Sequence, residues 1–220
     1  MVAALAFLLT GLQAPQTLEL QPTDDIWVYP HASDPATDSF LRIFGSEGRS
    51  TAETPTEHPE FSYAYLKFDL SKLPKGAKIT GATLQVTHIP NPSFTLDEAK
   101  RGRLEARPVS AEFSEKDWDY DKTMKIGPSP DPEDFYGSFI PQGTEDTKKD
   151  WPININLMTG KTKFGPAAEL ASETPTKSIA IALCSLISPQ ELGHMAVWKI
   201  YSKEGPEGKR PVLKLTFTTN

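Results

Sequence analysis

The sequence predicts an all-β chain, an antiparallel β-sandwich of about ten strands with one or two short helical turns. Three observations carry that expectation. Across 220 residues, 20 prolines and 14 glycines punctuate the chain. The apolar runs between them are short and rich in Val, Ile, Thr, Phe and Tyr, whose branched or aromatic side chains suit a pleated, half-buried surface. Two central segments alternate apolar and polar residues with the period of two that a strand imposes.

Taken in order, Thr17 to Leu20 and Ile26 to Tyr29 read as short strands separated by Pro22-Thr23-Asp24-Asp25, and Ser39 to Phe44 as a third, ended by Gly45. A polar loop from Glu47 to Glu60 leads to Tyr63 to Leu70, in which Ala64, Leu66 and Phe68 share one face and Tyr63, Tyr65 and Lys67 the other. After Leu73-Pro74-Lys75-Gly76-Ala77, the strand Gly81 to Thr87 repeats the pattern with Ala82, Leu84 and Val86. Two half-buried strands of this kind need a second sheet to cover their apolar faces. Ile153 to Leu157, Ser178 to Leu183, Ala196 to Tyr201 and Val212 to Thr218 are also strand-like, while Leu96 to Lys100 and Pro189 to Leu192 suit single helical turns. Pro108 to Pro152 is a long, acidic, aromatic-bearing stretch with little periodicity, the kind of connection that usually carries function.

Met1 to Ala14 is apolar from Val2 through Leu9, and no charged side chain precedes Glu19. It is expected to be a signal peptide, too short to span a bilayer, leaving residues 17–220 as a single domain in the periplasm, at the cell surface or in the medium. The other reading is a buried N-terminal element. A net charge of −6 leaves no basic excess for phosphates, which argues against nucleic acid, and no later stretch has membrane-spanning length. Cys184 is the single cysteine and lies in an apolar run, so no disulfide framework is available and a small buried residue is expected.

Tyr65-Leu66-Lys67-Phe68-Asp69-Leu70-Ser71, Leu73-Pro74 with Gly76-Ala77, and Ile79-Thr80-Gly81-Ala82-Thr83-Leu84 resemble the signature of DNRLRE domains, a group overlapping carbohydrate-binding module family 96. Asp25-Ile26-Trp27-Val28 resembles the family's opening, and Phe113-Ser114-Glu115 stands where the family has Trp-x-Glu. Ile153 to Leu157 resembles a later strand, and Ile200-Tyr201-Ser202-Lys203-Glu204 with Lys209-Arg210-Pro211-Val212-Leu213 resembles the close. Phe113 in place of the tryptophan, Tyr120 in place of a second one, and extra residues at 93–100 and 127–150 depart from the pattern. The resemblance implies a jelly-roll-like sandwich in an exported protein and, in some members, binding of acidic polysaccharides such as alginate. A polysaccharide is therefore the expected partner, with a separately encoded polysaccharide-degrading enzyme beside it.

A sugar-binding surface needs flat rings against pyranose faces and fixed polar groups for hydroxyls or carboxylates. Trp118, Tyr120, Phe135, Tyr136 and Trp151 fall in or beside the long loop region and are candidates for a platform; the alternative is that such rings anchor the loop to the sandwich. Lys100, Arg101 and Arg103 form the densest positive cluster and are the candidate anion contact, against the plainer reading of a solvated turn. Asp117, Asp119 and Asp121, two apart, are the candidate ligands for calcium; solvated surface acids are the alternative. An EF-hand is excluded, because Lys122 and Pro128 stand where it needs Gly and Glu.

Lys203, Glu204 and Arg210 read as charges fixing the turn before the last strand. His31, His58, His88 and His194 are scattered, and no nucleophile-elbow, zinc-protease or phosphate-loop motif is present, so no enzyme activity is expected. A polysaccharide-binding module and a structural or adhesive module are the competing readings. The first needs exposed coplanar rings, and the second needs buried rings with an exposed apolar patch or sheet edge.

Overall fold

The computed structural model describes residues 14–28, 37–45, 61–129, 131–185, 187, 193–194 and 197–219. The expected signal segment ahead of Ala14, His31, His58, the loop 47–60 and the turn expected at 189–192 lie outside the described residues.

Among the described residues, eleven strands form two antiparallel sheets, as the alternation requires. The first runs β1 (Gln16–Leu20), β11 (Val212–Thr218), β5 (Lys78–His88), β10 (Trp198–Tyr201), β3 (Phe40–Ile43), with β8 (Trp151–Asn156) also paired to β5. The second runs β2 (Asp24–Val28), β4 (Tyr63–Asp69), β9 (Ser178–Ser185), β6 (Leu104–Val109), β7 (Gly137–Phe139). From β1 to β6 each successive strand lies in the opposite sheet, the crossing habit of a jelly-roll-like sandwich. Among the described residues, no helix is long and apolar enough to cross a membrane.

Two strands and two helices go beyond the expected set. β6 carries Glu105, Arg107 and Pro108, which hide its strand character; β7 stops its pairing at Ala106, so Pro108 lies where β6 has a strand partner on one side only. Helix α1 (Leu96–Arg101) is the expected turn, held by a capping box in which Glu98 accepts from the Thr95 backbone N–H at 2.8 Å. Helix α2 (Tyr120–Lys125) forms within the long stretch of little periodicity, because Asp119 turns its carboxylate onto the Lys122 N–H at 2.9 Å and caps the helix. Helix α3 (Phe164–Glu173) opens with Gly165 and Pro166, which read as breakers although proline is tolerated in a first turn.

The inner faces meet as predicted: Ala64, Leu66 and Phe68 of β4 pack with Ala82, Leu84 and Val86 of β5 and with Ile153, Ile155 and Leu215. The turn joining β4 to β5 closes with the Ala77 N–H donating to Pro74 O at 3.0 Å, and Gly76 supplies the φ of +74° that this reversal needs. The outer face of β4 departs from the half-buried expectation. Tyr63 and Tyr65 are fully buried, in a second apolar cluster with Ile26, Val28, Phe61, Phe113, Ala180, Ala182 and Cys184. Val109, Ala111, Trp118, Tyr120 and Ile126 cover it from the chain after β6. Cys184 is buried and free, as its apolar run predicts.

His88 lies in the core. It is fully buried beside Trp151 and Trp198, with ring centroids 4.7 and 5.8 Å away, and neither ring nitrogen has a hydrogen-bond partner. Burial pushes its pKa down to about 4, although backbone groups of Thr147 and Lys199 work in the opposite direction. The unfolded chain binds a proton near pH 6.5 and the folded chain only near 4, so His88 costs stability as pH falls through that window. His88→Phe is expected to remove this loss, about 2–3 kcal/mol between pH 7.5 and 4.5. Urea unfolding of both proteins at the two pH values checks it; equal pH slopes would mean the imidazole already charges inside the fold.

Candidate functional site

The acidic stretch folds with its three candidate carboxylates spread over two short helical elements. Asp117 ends a single 3-10 turn (Glu115–Asp117), Asp119 caps α2 and Asp121 sits in the first helical turn, all three exposed. Curling the backbone between them spoils the two-residue spacing that would aim three carboxylates to one side. Among the described residues their oxygens do not converge on a common point.

The expected ring platform is also dispersed. Tyr136 and Trp151 are buried, Tyr136 edge-on to Phe164 at 5.0 Å and Trp151 edge-on to Trp198 at 5.9 Å. Neither offers a face to a sugar. Trp118 and Tyr120 are half-buried and pack onto the second cluster, which makes them anchors of the loop. Phe135 is half-buried beneath the Arg103 guanidinium, 5.7 Å from its ring centroid.

Lys100 and Arg101 are exposed in the last turn of α1, where positive charge complements the helix dipole. Arg103 is committed to Glu105 at 2.5 Å. Glu105 also takes the buried Arg107, whose Nη2 and Nε lie 2.6 and 2.9 Å from Oε2 while Nη1 donates to Asp131 O at 2.8 Å. This brace ties β6 to the loop after α2. Its signal was the alternation Arg103, Glu105, Arg107, three charges on one strand face.

Two arrangements remain that chemistry can use. The first joins three segments far apart in the chain. Asp25 of β2, Glu115 of the 3-10 turn and Glu204 of the β10–β11 turn bring ligand oxygens within 4.8 Å of one another. Backbone bonds set the cluster: the Asp25 N–H donates to Glu115 Oε1 and the Lys203 N–H to Asp25 Oδ2, each at 2.7 Å. The Lys203 ammonium spans Glu115 Oε2 at 2.8 Å and Glu204 Oε1 at 2.5 Å. Lys67 turns aside to Asp24 at 2.9 Å and to the Phe113 carbonyl. Asp25 is fully buried, and its Oδ1 and the buried Glu204 Oε2 have no partner. Burial raises the Asp25 carboxyl to about 8, the charges of Glu204 and Glu115 adding to the rise and the Lys203 N–H opposing it. All donors are oxygens, a set able to hold a hard cation. Asp25, Glu115 and Glu204 stand in the opening, central and closing motifs of the family resemblance, but their meeting was not read from the sequence.

The second arrangement lies on the outer face of β3 and β10. Register pairs Lys199 with Arg42 and Tyr201 with Phe40, while the alternating Leu41, Ile43, Trp198 and Ile200 point inward and are fully buried. Lys199 Nζ sits 4.0 Å from the Phe40 ring centroid and Arg42 Cζ 5.3 Å from the same ring. Lys209 Nζ lies 5.3 Å from the Tyr201 ring and pairs with Asp150. Among the described residues, no carboxylate lies within ion-pair distance of Arg42 or Lys199. Partial burial first, then the Arg42 charge, lowers the Lys199 pKa, with the Asp38 charge opposing them.

Because Trp118 anchors the loop, Trp118→Ala is expected to cost about 2 kcal/mol of folding stability, less than a fully buried tryptophan would. The readout is the urea midpoint of the purified variant; an unchanged midpoint would return the ring to the role of a ligand platform.

A scan against protein-family models and a search of curated proteins find no match to the chain.

Proposed function

We propose that this chain is an exported, non-catalytic module that binds an acidic polysaccharide through the outer face of β3 and β10. The observation that carries the reading is the pair Arg42 and Lys199, two neighbouring cations against one aromatic ring, neither in a direct ion pair with a carboxylate among the described residues, although the Asp38 charge acts on Lys199 from farther off. On a chain of net charge −6, such a pair calls for an anionic ligand from outside. The Arg42 fork suits a uronate carboxylate, Lys199 supplies a point charge, and the Phe40 and Tyr201 rings suit the C–H faces of pyranoses. Arg103 also lies over a ring, but Glu105 already takes its charge. Lys100 and Arg101 add positive charge at the end of α1 without a ring contact.

The resemblance to DNRLRE domains supports the same ligand class, the export, and the company of a separate polysaccharide-degrading enzyme. Supporting a non-catalytic role, His88 and Cys184 are buried, and the converging carboxylates are tied to a lysine and to backbone N–H groups. An adhesive module called for buried rings with an exposed apolar patch or sheet edge; Tyr136 and Trp151 are buried, while the exposed large apolar side chains among the described residues are Ile140 and Leu170, far apart in the chain.

Affinity electrophoresis in gels containing alginate, polygalacturonate or a neutral glucan tests the proposal. Retardation is expected in the acidic gels and to fade with added salt. Arg42→Gln and Lys199→Gln each remove a charge-assisted contact of about 1.5–3 kcal/mol, roughly ten- to a hundredfold in Kd. Full-strength binding by both variants, or migration unaffected by acidic glycans at low salt, would sink the assignment.

A further inference from the structure

We propose that Asp25, Glu115 and Glu204 form a binding site for a hard divalent cation of the calcium type, which cross-links β2, the 3-10 turn after β6 and the β10–β11 turn. The dimensions fit. Two oxygens bound at 2.3–2.6 Å to one ion lie at most about 5 Å apart, and the ligand atoms of these three carboxylates lie within 4.8 Å of one another. A set of oxygens with no His or Cys disfavours zinc and copper. Magnesium sheds its water reluctantly, which suits it poorly to a site with a fully buried ligand.

The second argument is the state of the oxygens. Asp25 is fully buried, yet its Oδ1 meets no donor, and the buried Oε2 of Glu204 meets none either. Buried carboxylate oxygens without partners are costly, and a pair of them in one cluster marks a place where something positive belongs. The protein's own cations do not supply it. Lys203 binds the opposite oxygens, Glu115 Oε2 and Glu204 Oε1, and brings one positive charge to three carboxylates. Lys67 is held by Asp24, and Arg210 donates through Nε to the Gly205 carbonyl at 2.8 Å. With all three carboxylates ionised two negative charges are left over, the number a divalent ion neutralises, and the ion takes the place of the proton that Asp25 otherwise keeps. The raised pKa of Asp25 is the same deficit seen from the proton's side.

The remaining coordination positions fall to water. The backbone bonds from Asp25 N to Glu115 and from Lys203 N to Asp25 hold the carboxylates in place before the ion arrives. Asp117, Asp119 and Asp121 lie outside this set.

The test uses the full chain stripped with EDTA at pH 7.5 and requires no glycan, so its outcome is independent of polysaccharide binding. Calcium is titrated by calorimetry, and thermal melting is recorded with calcium and with EDTA. One saturable site is expected, and at calcium a hundredfold above Kd the melting temperature should rise by roughly 5–10 °C. Glu204→Gln, which keeps the shape of a half-buried side chain, should weaken binding by at least about tenfold. Asp25→Asn should abolish it, and the triple variant Asp117→Asn, Asp119→Asn, Asp121→Asn should leave it intact. The proposal is overturned if the folded chain shows neither heat nor a melting shift with calcium. It is equally overturned if binding survives Glu204→Gln at full strength and disappears in the triple variant.

Discussion

The burial of Tyr63 and Tyr65 organises everything outside the inter-sheet core. A strand in one sheet of a sandwich is usually covered on one face only, but β4 carries these rings on the face that points away from β5. Large aromatic surfaces left in water would forfeit much of the burial that stabilises a domain this size. The chain after β6 therefore folds back over the second sheet, with Phe113, Trp118, Tyr120 and Ile126 as its contacts. Arg107 then pins the following segment through the carbonyl of Asp131.

That return path has an electrostatic consequence. Laying Phe113 against Tyr65, 5.7 Å between ring centroids, delivers Glu115 to the backbone of Asp25. The loop is acidic, so covering an apolar face also carries negative charge to the end of β2, where Glu204 already stands. Lys203 offsets part of the repulsion, and Lys67 pairs with Asp24, which also accepts from the Glu115 N–H at 3.3 Å. Packing and charge thus pull in opposite directions at one place, and the two unpartnered oxygens record the conflict.

The parts of this structure that are legible in the sequence are those governed by a period of two. β4 and β5 follow from Ala64, Leu66, Phe68 and Ala82, Leu84, Val86 because side-chain direction on a strand is a local property. Trp151 was legible on the same ground: it shares a face with Ile153 and Ile155, and the alternating burial of β8 places all three inside. Treating it as a loop ring ignored that periodicity. Asp117, Asp119 and Asp121 show the converse: a spacing of two aims side chains to one side only on extended backbone, and here Asp119 caps α2. The carboxylate cluster could not be read locally. Asp25 and Glu115 are 90 residues apart, and Asp25 and Lys203 are 178 apart. A sequence motif marked each segment, but only the strand order shows that they meet.

The cluster and the basic ring face are consecutive along β10. Tyr201 belongs to the face and Lys203 to the cluster, with Ser202 between them. Ser202 is fully buried; its Oγ donates to Asp38 O at 2.6 Å and its N–H to Ser39 O at 3.2 Å. Those carbonyls lie directly ahead of Phe40, so whatever holds the turn at Lys203 and Glu204 also holds the start of β3. A loose turn would let Phe40 and Arg42 drift relative to Lys199 and blur the spacing of the two cations. Rigidity at a recognition surface matters because ordering side chains on binding costs about 0.5–1.5 kcal/mol each, a cost that a pre-ordered face avoids. If the basic face binds as proposed, the acidic cluster serves it through geometry: it fixes the strand that carries half of the proposed ligand contacts while keeping its own charge at the turn, beyond the end of the ladder.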